Sequence, residues 1–421
     1  MFKYSKLFSL CFGSISAVFI LSCSAKTNIS NEKKNISDTI QNNSKILQEN
    51  HSISPNNSWE NSFSINRMNA PFSNFSDINF DLQLLRSKKN FLNKHIIIGG
   101  NLEFNQFYWK EENKLKNSLY INNIELDIMA NFNKWIYVFT SIKPTIDRSP
   151  AISAKFDKAF LTIGNLDQNP IYLSVGKLII PYGEFSGNGP WLNTLTKSSF
   201  GPPDSKRQLI LGYANNGLNL SMSIFDPNYK KNINFDYTYN IHYGHAINNN
   251  TKYDIGGFYL SDIRNLSNSY GDAFNWNILT SKEKVSIGGI NTTFQKGKWK
   301  IYTEYVQSFT SVQRPSQINL KKNASKTKET AKSWTVAIDY TPTLFGMNTT
   351  FQISYSGTKG MEDIPVSTSD IQSVSDGKNL LIASVCYNIS SNISTNFELS
   401  AIQNYKYKWS YLGALDILFS F

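Results

Sequence analysis

Carboxylates recur at matched positions in otherwise alternating, apolar stretches: Glu103 in NLEFNQ, Glu125 and Asp127 in INNIELDIMAN, Asp339 in WTVAIDY and Glu398 in ISTNFELSA. Paired acids can serve general acid–base catalysis, but only when grouped with a nucleophile or base at one site. No such grouping is legible. His242 and His245 sit at one strand end with no serine placed beside them by a motif, and three cysteines are too few for a metal or disulfide framework. Cys386 shares the parity of the acids and reads as a buried, inert thiol. The sequence therefore predicts no enzyme, no metal and no cofactor. What the acids can do is face water from strands whose other side is apolar. A charge facing lipid at mid-depth costs roughly 2–4 kcal/mol for Lys or Arg and less for Asp or Glu. Their common phase places all five inside a wet lumen, either hydrating it or forming part of a solute path.

Cations gather elsewhere. The segment PYGEFSGNGPWLNTLTKSSFGPPDSKR is long and punctuated by Gly187, Gly189, Pro190, Gly201, Pro202 and Pro203. It either packs on the rim as a surface loop or folds inward over residues 184–206, which would let Trp191, Lys197, Lys206 and Arg207 face a passing solute. A second segment, RPSQINLKKNASKTKETAK, sets Arg314, Lys321, Lys322, Lys326, Lys328 and Lys332 against Glu329 alone. Such a run is solvated, or it holds lipopolysaccharide phosphates or draws in anions. Formal net charge is +11. No basic helix, zinc spacing or aromatic RNA-binding motif accompanies it, so no nucleic-acid partner is expected.

Short runs of period two must position these groups. WTVAIDY sets Trp334, Val336, Ile338 and Tyr340 against Thr335, Ala337 and Asp339, and FQISYSG alternates in the same way. Trp and Tyr bracket the apolar runs, as aromatic girdles do at two lipid interfaces; aromatics reach 14% of the chain. From His95 to Phe421 about sixteen such runs can be counted, joined alternately by tight and long connections. The tight ones are FNK, LDQNP, NNG, INNN, KGK, TPTLFG and ISSN; the long ones lie near 146–153, 181–206, 264–284, 310–332 and 358–377. This predicts an all-β, closed antiparallel transmembrane barrel of about 16 strands spanning residues 91–421, with both chain ends on the turn side. The last stretch, YLGALDILFSF, places Leu415, Ile417, Phe419 and Phe421 on one parity and Asp416 and Ser420 on the other. It is the expected closing strand, and Ile417, Phe419 and Phe421 resemble the signal read by the barrel assembly machinery.

The remainder of the chain reads as export and tether. Lys3 and Lys6 precede LFSLCFGSISAVFIL, and cleavage after Ala25 would give a leader of residues 1–25. Alternatively, ILSC is a lipobox and Cys23 a lipidated terminus. No other run reaches about 18 apolar residues, and mean hydropathy is −0.34. Residues 26–90 are rich in Asn, Ser and Lys and form the expected periplasmic segment. Ile29, Ile36, Ile40 and Leu47 fall on one heptad seam, broken by Lys33 and Asn43. The segment is a tether with transient helix, or a short coiled coil that makes a homo-oligomer. SDINFDLQLLRSKKN is expected to add a small helix, plug-side or periplasmic.

The stretch FDKAFLTIGNLDQNPIYLSVGKLIIPYGEFSGNGP resembles the LbtU-type siderophore porins, which take up legiobactin, at Thr162 to Leu166, Pro170, Tyr172, Ser174 to Gly176 and Pro181 to Gly183, with Tyr182 in place of Phe. The resemblance covers about 35 residues in motif and the whole chain in layout. It implies an outer-membrane porin of a Gram-negative bacterium that carries a ferric siderophore, an anionic small molecule, with membrane lipid and lipopolysaccharide around it. Composition alone implies only a porin. A general or anion-preferring diffusion porin shares every barrel feature, and a barrel adhesin or surface antigen needs no open lumen. A barrel of 22 strands with a folded plug needs more chain than about 330 residues.

Overall fold

In a computed structural model of the protein, residues 79–87 and 95–421 are described, save 112–113, 146–152, 188, 203–204, 227–234, 265, 276–278, 280, 282, 313–329, 363, 370–371 and 376. The leader, the heptad seam Ile29–Leu47 and the basic run Arg314–Lys328 lie outside the described residues.

Sixteen strands form one closed antiparallel sheet: β1 (Ile96–Glu111), β2 (Lys114–Asn131), β3 (Ile136–Thr145), β4 (Ser153–Gly164), β5 (Ile171–Ile179), β6 (Ser205–Asn215), β7 (Leu218–Phe225), β8 (Asp236–Asn248), β9 (Thr251–Leu260), β10 (Ile287–Lys296), β11 (Trp299–Ser308), β12 (Lys332–Tyr340), β14 (Met347–Lys359), β17 (Gly377–Asn388), β18 (Ile393–Asn404) and β19 (Trp409–Ser420). β13 (Thr343–Leu344) only decorates a turn, and β15 (Pro365–Ser369) with β16 (Gln372–Ser375) makes a separate hairpin inside a loop. Three short helices are described: α1 (Phe80–Arg86), α2 (Leu195–Phe200) and α3 (Ser269–Asn275).

Closure occurs where the chain ends. β19 pairs with β1 from Asn101↔Ser420 to Glu111↔Ser410. Beyond it, Phe421 N–H donates to Gly100 O at 3.1 Å and Gly100 N–H to Phe421 O at 3.0 Å. A sheet closed on itself has no unpaired edge, which is the condition for strands to sit in lipid.

The face pattern follows from period-two alternation. Leu209, Leu211, Ile241, Ile255, Ile290, Ile338, Ile353 and Leu381 all project outward and are exposed. Their neighbours Gln208, Asn240, His242, Asp254, Asn291, Asp339, Gln352 and Ser384 project inward and are buried. This is the reverse of a soluble sandwich. On the end of the barrel that bears the long loops, Tyr108, Tyr237, Tyr239, Tyr355, Trp409 and Tyr411 stand out from the wall. Trp299, packed on Tyr340 at 4.5 Å between ring centroids, marks the other rim.

The seven tight connections read from the sequence are the seven turns of one end. One of the three two-residue turns, Asn216–Gly217, takes φ of 48° and 82°, the paired positive values of a type I′ hairpin. A Cβ on Gly217 would lie 2.0 Å from Gly244 O. Besides register shifts near the ends of β8 and β17, two bulges within β2 and β4 reset the alternation. Asn122 is extra opposite Glu103/Phe104, so that Ile121 and Leu119 as well as Ile124 and Leu126 project outward. Asp157 is extra opposite Ser141/Ile142, which turns Lys158 into the lumen.

Apolar cores fill the barrel from inside at three places. One packs α1 against Met129, Tyr137, Phe139, Phe160, Tyr172, Leu178 and Ile210, all on the inner wall. Another packs Ile180, Tyr182, Phe185 and Phe200 with α3 and the loop ends of β9–β12. A third gathers Leu192 and Leu195 with Phe107, Trp109, Leu380, Ile382 and Leu412. Of the two positions open to the helix in FDLQLLR, it takes the plug side.

Candidate functional site: the lumen and its crossing loop

The β5–β6 connection (residues 180–204) leaves the wall at Ile179 and crosses the lumen. Tyr182 ties its two arms together, donating its hydroxyl to Phe200 O at 2.7 Å. Phe185 N–H donates to the Glu304 carboxylate of β11 at 3.2 Å. Farther along, Trp191 N–H and Leu192 N–H both donate to Glu398 Oε2 of β18, at 2.8 and 3.1 Å. Leu195 N–H donates to Ser356 Oγ of β14 at 3.0 Å, while Thr196 Oγ1 lies 2.9 and 2.7 Å from the Ser333 and Thr335 hydroxyls of β12. Trp191 stacks on Phe107 of β1 at 5.4 Å and meets Tyr120 of β2 edge-on at 5.8 Å. The loop therefore reaches six strands: β11, β12, β14 and β18 across the lumen from its root, and β1 and β2.

Glycine makes the crossing feasible. A Cβ on Gly189 would lie 2.2 Å from Glu398 Oε2 and 2.7 Å from Ile382. Thr194 caps α2 by accepting from Lys197 N–H at 3.3 Å. Glu184, beside the loop's root, is half-buried, and desolvation raises its carboxyl above the usual range; Asp254 adds to the rise and His242 and Lys300 oppose it. Burial likewise lifts the Tyr182 hydroxyl well above its ordinary value.

The five acids read from strand parity all point inward. Glu125 takes a hydrogen bond from Ser141 and lies 3.5 Å from Lys143 and 4.0 Å from Lys158. Lys143 also meets Asp157 at 3.1 Å. Asp339 lies 3.7 Å from Lys300 and accepts from Gln352 at 2.9 Å. Glu103 accepts from Asn105 at 3.2 Å, and Asp127 is buried beside Glu125. Glu398 holds the crossing loop. These acids do not converge on one point. They sit on β1, β2, β12 and β18, each with its own polar neighbours.

The cation set divides. Lys197 is on α2 and Lys206 shares inward parity with Gln208 and pairs with Leu178. Arg207 is a correction: it pairs with Lys177 and shares the parity of exposed Leu209 and Leu211, so it projects from the outer wall. The cause is that β6 already begins at Ser205, and within a strand adjacent residues take opposite faces. Trp191 is packed against the wall aromatics. Lys332 opens β12 with outward parity, beside Lys359. Ile417, Phe419 and Phe421 share the outward face, Phe419 meeting Phe104 edge-on at 6.1 Å and the Phe421 ring lying over Gly100.

Parity reasoning did not single out Glu304, whose inward phase in WKIYTEYVQS was as plain as that of Glu398. It also passed over Lys143, Lys158 and Lys300, the bases that partner the luminal acids. His242 and His245 lie on opposite faces of β8, His242 inward at 3.2 Å from Asp254. Among the described residues no group of three or more His, Cys, Asp or Glu is placed to hold a metal ion.

The sequence model of a family described as "Protein of unknown function (DUF3573)" matches residues 56–286, more than half of the chain. The chain belongs to the DUF3573 family. The matched part takes in α1, β1–β9 and the crossing loop. Among curated proteins, a UPF0422 protein of Coxiella burnetii (strain RSA 493 / Nine Mile phase I) is 22% identical over 225 residues, 51% of this chain and 48% of that protein. UPF0422 protein lpl2888 of Legionella pneumophila (strain Lens) is 25% identical over 169 residues, 34% of this chain and 30% of that protein. This DUF3573 chain thus spans about half the length of the first relative and less of the second. Among solved structures, Salmonella typhi OmpF in complex with daunomycin superposes with a TM-score of 0.54 at 12% identity, over 77% of this chain and 97% of that one. The DUF3573 barrel therefore has the sixteen-stranded porin fold.

Proposed function

We propose that this protein is an outer-membrane channel whose bore is set by the β5–β6 loop, and that its solute is a ferric siderophore of anionic, carboxylate type. The observation that carries the channel reading is the loop itself: it crosses a polar-lined barrel and is fastened by backbone N–H groups to Glu304 and Glu398. A loop serving only as rim would have no use for two buried wall carboxylates. The aliphatic outer wall suits hydrocarbon, and the outward aromatics suit the headgroup layers, where lipopolysaccharide is the outer neighbour.

Three features support the siderophore: the resemblance of the 156–190 stretch to siderophore porins, the net charge of +11, and Lys197 and Lys206 near the loop end of the lumen. Two of the five inward acids are ion-paired, Glu125 with Lys143 and Lys158 and Asp339 with Lys300, which lessens the opposition that the bore offers an anion. Exposed cations steer over roughly a Debye length, about 8 Å at physiological salt. Recognition is therefore a weak, salt-sensitive concentration at the vestibule.

Replacing Lys197 and Lys206 together with Gln is expected to lower uptake of an iron-loaded carboxylate siderophore at low salt, measured with radioactive iron in cells, and to spare permeation of a neutral sugar. Arg207→Gln, on the outer wall, is expected to change neither. Loss of both fluxes would assign the lysines a structural role. Loss of neither would make this a general diffusion porin.

A further inference from the structure

The wall that α1 covers is one of three apolar regions inside the barrel, separate from the two that the crossing loop packs on. Met129, Tyr137, Phe139, Phe160, Leu178 and Ile210 all have inward phase on β2–β6, yet they are apolar or aromatic. A patch of this kind facing water in a conduit would be costly to keep. It is covered by four side chains of a seven-residue helix, Phe80, Leu82, Leu84 and Leu85, each at most 6% exposed. The fit is specific. Phe80 meets Phe139 at 4.5 Å and Phe160 at 6.2 Å, and the Lys158 ammonium sits 4.9 Å from the Phe80 ring centre. Ser174 donates to Asp81 Oδ2 at 2.6 Å, and Arg86 bonds Asn219.

The helix also has a direction. Its first residue lies beside Lys158 and Phe160, inside the barrel. Its last turn lies beside Gly164, Tyr172 and Asn219, at the turn end where β1 begins. α1 thus stands along the bore in its turn-end half, while the β5–β6 loop crosses toward the loop end. Two independent obstructions share one lumen.

They are fastened differently. The loop's backbone amides are bonded to wall carboxylates. The described polar ties of α1 to the wall run through side chains. Asn79 supplies no side-chain cap to α1, and seven residues are too few to hold a helix without support. Docking buries the Asp81 carboxyl, raising it above the usual carboxylate range, with the Ser174 hydrogen bond opposing. Burial also lowers the Arg86 guanidinium. A permanent filler would place apolar groups at such positions.

We propose that α1 is a removable plug: a segment of this chain that closes the turn-end half of the bore by docking on a dry luminal wall, and that opens the bore by undocking and unfolding. This rests on the channel reading.

The experiment uses the full chain with Cys11, Cys23 and Cys386 each replaced by Ser. One variant locks the helix by Asp81→Cys with Ser174→Cys, a pair already in side-chain contact. A second releases it by Leu84→Asp. Both are checked for the heat-modifiable gel mobility of a folded barrel, then read by single-channel conductance. Separately, Ala214→Cys, beneath α1, is labelled with a bulky water-soluble maleimide, with and without Leu84→Asp. The oxidised lock is expected to remain at low conductance, reduction to restore larger openings, and release to raise mean conductance several-fold and speed labelling of Ala214→Cys. Equal conductance in locked, reduced and released chains would overturn the plug, as would Ala214→Cys protected equally in both backgrounds. If no chain conducts, including one with the crossing loop shortened, the channel reading fails, and labelling alone decides whether α1 undocks.

Discussion

Glu398 is the residue on which the loop's position turns. Its Oε2 accepts two backbone N–H groups that have left water, and a buried donor left without an acceptor costs about 1–3 kcal/mol. Glu398→Ala strands both donors and is expected to loosen the loop tip, seen as larger and noisier conductance from a barrel that still assembles. Glu398→Gln keeps an acceptor and is expected to stay near the parent. A quiet parental trace from the Ala variant would show that Ser356, Thr335 and the Trp191 stack suffice. Asp81 makes the complementary prediction. Its folded carboxyl is raised by burial, so the docked helix binds a proton that the undocked one releases. The contribution to docking is full at low pH and fades as pH rises through the folded value. Asp81→Asn is expected to remove that dependence and raise the amide protection factors of α1 at neutral pH, where those of the parent are lower than in mild acid. A parent whose α1 exchange protection shows no pH dependence would contradict this.

At the scale of elements, the closing strand and the loop illustrate what a sequence discloses. β19 was legible to its last residue because one parity is apolar for its final residues, and a Cβ period of two needs no tertiary knowledge. Deleting Phe421 removes the two hydrogen bonds to Gly100 and the ring above it. Assembly is expected to slow, checked by the rate at which the heat-modifiable band appears; an unchanged rate would show the terminal aromatic to be dispensable. The crossing loop was legible as long and Gly/Pro-rich, but not in its fastenings, because Glu304 and Glu398 are more than a hundred residues from the amides they hold. Arg207 differs for a local reason: β6 begins at Ser205, inside the 181–206 stretch read as loop, so Arg207 is a strand residue and alternation gives it the outer face. The bulges at Asn122 and Asp157 are invisible to strict alternation. α1 was visible as a helix, but its place was not, since its apolar face matches a wall assembled from five separate strands.

For the whole molecule, the central claim is that one closed barrel conducts and that the β5–β6 loop limits how much. The barrel end that bears long loops, the polar inner wall, and the amides pinned across the lumen all bear on that claim, but a width is best tested by current. The decisive measurement is single-channel conductance of the full chain beside a chain in which residues 186–199 are replaced by a short Gly/Ser link, both shown to fold. In openings with α1 undocked, the trimmed chain is expected to conduct several-fold more than the parent in its own open level, with weaker discrimination between small and large ions. Equal conductance in the two would place the bottleneck elsewhere and contradict the account.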